Sequence, residues 1–218
     1  MTGALAGLVL SLGMIAPPVT AVAAQGYDLN TASSLQVVVN KHRQLNPTGY
    51  VPGPLVAVQG ERLRVQAADA YKRFAKAAKA AGVNILPISG YRSFSQQTSL
   101  YDSYVRQYGQ ATADTLAARP GYSEHQTGLA MDIGNASGTC ALQACFANTP
   151  AGKWAAAHGW EYGFIIRYPA GAEATTGYTY EPWHLRYVGP AIALDMNSNG
   201  IATLENYFGL EKAPDYLR

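Results

Sequence analysis

Ser123-Glu-His-Gln-Thr-Gly-Leu-Ala-Met-Asp132 and, further along, Glu181-Pro-Trp-His184 are the two stretches that decide the reading of this chain. Together they supply His125, Asp132 and His184, with Glu181 three residues ahead of the last histidine. Two imidazoles and one carboxylate leave one position open on a tetrahedral zinc, which is what a hydrolytic zinc needs. Glu181 is then the natural general base for a water at that position. The small residues Gly128 and Ala130 let the backbone pass close to a metal. Pro182 fixes the backbone and blocks a helix, so Glu181 and His184 are expected on a stiff strand end. Taken singly, His125 reads as a loop histidine and Asp132 as a turn residue; only the set of four points to one Zn2+ site.

Composition excludes several classes. The 218 residues suffice for one domain with a real core. Charged residues make up 14%, against roughly 25% in ordinary soluble domains. The net charge of +2 and the lack of any Lys/Arg-rich run argue against a nucleic-acid partner. No Gly-x-Ser-x-Gly elbow is present, so a serine hydrolase is the weaker enzyme reading.

Residues 1–24 read as a signal peptide: an apolar run, Pro17-Pro18, then Ala21-Val-Ala-Ala24 with cleavage near Ala23 or Ala24. No Lys or Arg precedes the run, and a membrane anchor is the rival, although the run before Pro17 is short for a span of ~20 residues. The mature chain is expected to have no membrane span, to be exported to the cell envelope or beyond, and to be a monomer. Cys140 and Cys145 are expected to form a small-loop disulfide in such a compartment, since no second cysteine pair completes a metal site.

The pattern along the chain gives an extended segment over 25–60, with Val37–Val39 as a short strand, packed on a domain over 61–218. Helical spacing runs from Arg62 to Ala81, and its lysines read as a solvated face. A strand follows over Val83–Ser89, then a helix capped by Ser93 or Ser95 through Tyr108, and a shorter one over Thr112–Ala118. Thr149-Pro150 opens another helix. Strands are expected over Trp160–Tyr168 and Tyr178–Val188. Helices first and strands later imply an α+β domain with flanking helices around a central, mostly antiparallel sheet. His158 reads as a helix C-terminal residue, and His42 as a surface residue. Asp195-Met-Asn-Ser-Asn-Gly200 looks like the start of a calcium loop, but the position that needs an acid holds Asn206, so calcium is discounted.

Ser89-Gly-Tyr-Arg-Ser93, Ser123-Glu-His-Gln-Thr-Gly-Leu-Ala-Met-Asp132 and Glu181-Pro-Trp-His-Leu-Arg-Tyr187 resemble the motifs of the VanY-type D-alanyl-D-alanine carboxypeptidases. Val39-Asn-Lys41, Tyr50-Val-Pro52 and Trp154 to Pro169 add to the likeness, which runs from about Val37 to Leu210. The resemblance implies the hedgehog/DD-peptidase fold, metal ligands at His125, Asp132 and His184, and Glu181 as base. It implies that Arg92 contacts the scissile carbonyl or a substrate carboxylate, and that Ser123 and Gln97 line the substrate cleft. The implied partner is the peptidoglycan stem peptide, cut at its terminal D-Ala-D-Ala bond. LD-carboxypeptidase, DD-dipeptidase or cell-wall endopeptidase action, or a non-catalytic binding module of this fold, are alternatives that these motifs also allow.

Overall fold

The computed structural model describes residues 26–217, so the expected signal peptide lies outside the described residues. The first regular element is a hairpin, β1 (Leu55–Val58) with β2 (Glu61–Arg64), closed by Gln59 and Gly60 at positive φ. The sequence reading had placed Arg62 and Leu63 in the following helix. They are instead paired with Ala57 and Val56, and helix α1 runs over Val65–Ala80. Val37–Val39 also departs from expectation: these residues are buried but form no strand.

Four further strands form one antiparallel sheet in the order β3-β4-β6-β5: β3 (Leu86–Ser89), β4 (Ala130–Gly134), β5 (Phe164–Ile166) and β6 (His184–Tyr187). The expected strand over Tyr178–Val188 shortens to β6, because Glu181 to His184 form a turn in which the His184 amide donates to the Glu181 carbonyl. Likewise Gly159–Tyr162 is a 3-10 turn ended by Gly163 at positive φ, which leaves only Phe164–Ile166 extended.

Alternation in the two central strands divides the molecule. Met131 and Ile133 of β4, with Leu185 and Tyr187 of β6, join a core that includes Ala67, Tyr71, Phe74 and Ala78 of α1. Asp132 and His184, with Ala130 and Arg186, occupy the alternate positions, paired across the strands as Asp132 with His184 and Ala130 with Arg186. One face of the sheet is therefore an apolar core and the other carries chemistry.

Helices α2 (Phe94–Tyr108) and α3 (Gln110–Leu116) flank the second face. Ser93 caps α2 in a reciprocal box with Gln96. Helix α4 (Pro150–His158) is capped by Thr149, whose side chain accepts from the Gly152 amide. The short α5 (Glu173–Thr176) is followed after β6 by α6 (Pro190–Ser198) and α7 (Leu204–Tyr207). Ile192, Met196, Leu204 and Tyr207 of these last two helices cover Leu29 and Val38 in a second apolar cluster. Asp195 to Ser198 are helical, so the apparent calcium loop is not formed. Among the described residues no helix is long and apolar enough to cross a membrane.

Candidate active site

His125, Asp132 and His184 meet although they come from three separate elements. His125 lies in a 3-10 turn over Glu124–Thr127, Asp132 in β4 and His184 at the start of β6. One ligand atom from each lies within 4.8 Å of the others, and all three side chains are buried. His125 Nε2 stands 3.3 Å from Asp132 Oδ2, and His184 Nδ1 stands 3.2 Å from Asp132 Oδ1. The two rings cross nearly at right angles, with centroids 4.9 Å apart.

Each ring has its remote nitrogen occupied or aimed. His125 Nδ1 is 2.8 Å from the Gly90 carbonyl and donates to it, which leaves Nε2 as a lone-pair donor. Buried Asp132 Oδ1 has no hydrogen-bond partner despite its nearness to His184. A buried acceptor left unsatisfied is costly unless a cation joins it. This donor set, two imidazoles and a carboxylate with a side open to a cleft, fits Zn2+.

The electrostatics follow from burial and close charge. Burial raises the Glu181 carboxyl to about 8, with Asp132 adding to the rise while His184 and Arg92 oppose it. Burial would depress His184, but the nearby carboxylates of Asp132 and Glu124 outweigh it and lift the imidazole to about 9. Burial lowers His125. Burial alone would raise Asp132, yet the two histidines hold it well below the usual carboxylate range. A dication at the centre favours the charged carboxylates and displaces the histidine protons.

Glu181 Oε2 lies 3.6 Å from His184 Nδ1, on the cleft side of the ligands. Arg92 comes from the turn between β3 and α2 and is fixed by Ser89 Oγ at 2.9 Å and Gln97 Oε1 at 2.8 Å. Its Nη2 is 3.9 Å from Asp132 Oδ2. Gln97 is fully buried, and its Nε2 donates to the Ala118 carbonyl. It therefore lines the cleft as the residue that holds Arg92. Ser123 is buried in the same wall. The cleft holds about 340 Å³ and is walled further by Leu100, Tyr104, Leu116, Leu142, Tyr168, Tyr178 and Trp183. A second hollow of about 420 Å³ beside α1 shares no lining residue with it.

Cys140 and Cys145 are bonded to each other, and their loop carries Leu142 to the cleft. The remaining histidines stay outside the group: His158 bonds Glu161 at 2.8 Å, and His42 is half-buried in the N-terminal segment. The sequence reading missed a buried charge cluster behind His184. Glu124 Oε1 accepts from Arg167 Nε and Arg186 Nη1, each at 2.8 Å, and Arg167 is clamped by Glu205 on its other side. The polar alternation of Arg186 with His184 in β6 was the one signal available for it.

A family model described as VanY, D-alanyl-D-alanine carboxypeptidase, matches residues 60–190. The chain belongs to this family. It is 42% identical over 190 residues to the putative carboxypeptidase YodJ of Bacillus subtilis (strain 168), covering 83% of this chain and 69% of that protein. It is 40% identical over 131 residues to a D-alanyl-D-alanine carboxypeptidase of Enterococcus faecium, covering 60% of this chain and 36% of that enzyme. Among solved structures, the LD-carboxypeptidase LdcB superposes with a TM-score of 0.76 at 42% identity, covering 83% of this chain and 88% of that one. A vancomycin-resistance D,D-pentapeptidase VanY, solved with Zn(II), superposes with a TM-score of 0.69 at 32% identity, covering 81% and 98%. The expected α+β fold and the expected family are thus both met.

Proposed function

We propose that the chain is a zinc-dependent carboxypeptidase that removes the terminal D-Ala from D-Ala-D-Ala-ended peptidoglycan stem peptides. The observation that carries this is the placing of Glu181, 3.6 Å from His184 Nδ1, beside the His125–Asp132–His184 group and facing a cleft that also holds Arg92. His125, Asp132 and His184 hold the metal. When bound, zinc supplies a Lewis acid for the scissile carbonyl and lowers the pKa of a water toward ~7. Glu181 takes a proton from the attacking water and hands it to the leaving amine. Arg92, braced by Ser89 and Gln97, points its guanidinium at the carbonyl oxygen where negative charge develops or at the substrate carboxylate. Leu100, Leu116 and Trp183 give the cleft apolar walls.

Stem peptides lie outside the cytoplasmic membrane, and the apolar stretch within residues 1–24 supports an exported protein. A second reading, LD-carboxypeptidase, is favoured by one observation: LdcB is 42% identical to the chain, against 32% for the D,D-pentapeptidase VanY. Mass spectrometry of muropeptides after incubation with the zinc-loaded protein separates the readings. Loss of one D-Ala from a pentapeptide supports the DD reading, whereas loss from a tetrapeptide alone supports the LD reading. Neither product, with zinc bound, contradicts both and leaves dipeptidase or endopeptidase action or a binding module.

A further inference from the structure

Glu124 precedes His125 in the chain and lines the back of the cleft, with its carboxylate in a buried ionic cluster. Two guanidiniums converge on one of its oxygens. Arg167 Nε and Arg186 Nη1 both donate to Oε1 at 2.8 Å. Arg167 is gripped from behind by both oxygens of Glu205, at 2.9 and 2.7 Å, and Glu205 also accepts from Asn40 Nδ2 at 2.9 Å. Arg186 is pinned further by the Val37 carbonyl at 2.7 Å. Both carboxylates and both guanidiniums are fully buried or nearly so.

The second oxygen of Glu124 is left over. Oε2 has no hydrogen-bond partner, and neither has His184 Nε2, which stands 3.5 Å away. The two unsatisfied atoms are thus close neighbours in the buried interior. A buried ionic cluster of this kind adds little net stability over an apolar core of the same volume, so stability does not account for it. What it does is lock a carboxylate in one orientation, with one lone pair aimed at the far side of a ligand ring.

We propose that Glu124 is a positioning residue for the metal: its Oε2 accepts the Nε2–H of His184 and so presents Nδ1 to the ion. The two histidines then bind through different nitrogens. His125 is anchored at Nδ1 by the Gly90 carbonyl and binds through Nε2, whereas His184 is anchored at Nε2 by Glu124 and binds through Nδ1. Arg167 and Arg186 hold the Glu124 carboxylate in place. Asn40 and Glu205 extend the support to the N-terminal segment and α7. This inference rests on the zinc reading of the site.

The test is zinc affinity, measured by chelator competition on the full chain, in Glu124→Gln and Glu205→Gln. Both remove one buried charge from the same cluster, but only the first touches His184. Loss of an outer partner of this kind weakens metal binding by about 10- to 100-fold, so Glu124→Gln is expected in that range and Glu205→Gln within about twofold of the parent. Equal losses in both variants would assign the cluster a merely structural role, and no loss in Glu124→Gln would overturn the proposal. If Glu124→Gln does not fold, imidazole 15N shifts of the zinc-loaded parent decide the matter. A protonated Nε2 with a metal-bound Nδ1 at His184 is expected, and a metal-bound Nε2 contradicts it. A parent chain that binds no zinc would instead defeat the functional reading itself.

Discussion

Asp132 and His184 are direct partners across the antiparallel strands β4 and β6, and the facing atoms Oδ1 and Nδ1 are 3.2 Å apart. The placing of these two proposed ligands is thus set by sheet register. A slip of one residue would carry Asp132 to the core face and bring Met131 or Ile133 to the cleft. The apolar residues packed against α1 therefore also fix where Asp132 and His184 stand.

Arg92→Lys keeps the charge but loses the planar fork that Ser89 and Gln97 hold. We expect kcat/KM to fall by about 100-fold or more, as for loss of a donor to a developing oxyanion, with zinc content unchanged. Steady-state kinetics on a pentapeptide, paired with metal analysis, checks this. Unchanged kinetics would remove Arg92 from the reaction.

Gly90→Ala tests the anchor of His125. A Cβ at this position meets the backbone oxygen of Arg62 at 2.5 Å, so the strand end must move away from β2. The Gly90 carbonyl that accepts from His125 Nδ1 moves with it. The expected cost is about 1–3 kcal/mol in urea unfolding, accompanied by weaker zinc binding. Stability and affinity both at parental levels would show that the close approach does not matter.

Acid stability is expected to depend on Glu205. Burial would raise its carboxyl, but Arg167, with help from Asn40, holds it below its ordinary value of 4.5. A carboxyl depressed in the folded state contributes stability that is complete above the unfolded pKa and is lost as pH falls through the folded one. Thermal unfolding followed from pH 7 downward should therefore show the parent losing stability below pH ~4.5, and Glu205→Gln losing less over that window. Parallel curves would rule out the linkage.

The grouping of the site was legible in the sequence because its residues sit in short motifs whose residue types have few other joint uses. His125, Asp132, Glu181 and His184 needed no tertiary information to be grouped. Glu124 did. It reads as an ordinary charged turn residue until Arg167 and Arg186, both distant in the chain, close on it. Leu63 shows the same limit on the fold side. Its apolar spacing suits α1, and it is fully buried, but the hairpin register with Val56 claims it for β2. Thr149, and Ser93 as one of two candidates with Ser95, were legible because a cap is local. The ends of β5 and β6 were overextended because turns at Gly163 and Glu181–His184 are decided by hydrogen bonds between segments. Gln97 lines the cleft, but its grip on Arg92 and on the Ala118 carbonyl could be seen only in three dimensions.

Glu181→Ala bears most directly on the central claim, that the His125–Asp132–His184 group is a catalytic zinc centre served by Glu181 as its base. The measurement is zinc stoichiometry and D-Ala release from pentapeptide and tetrapeptide, made on the same preparation of variant and parent. Because Glu181 takes and returns the proton but is not a ligand, the account predicts full zinc occupancy with D-Ala release reduced at least ~100-fold. Release at the parental rate with zinc bound would contradict it.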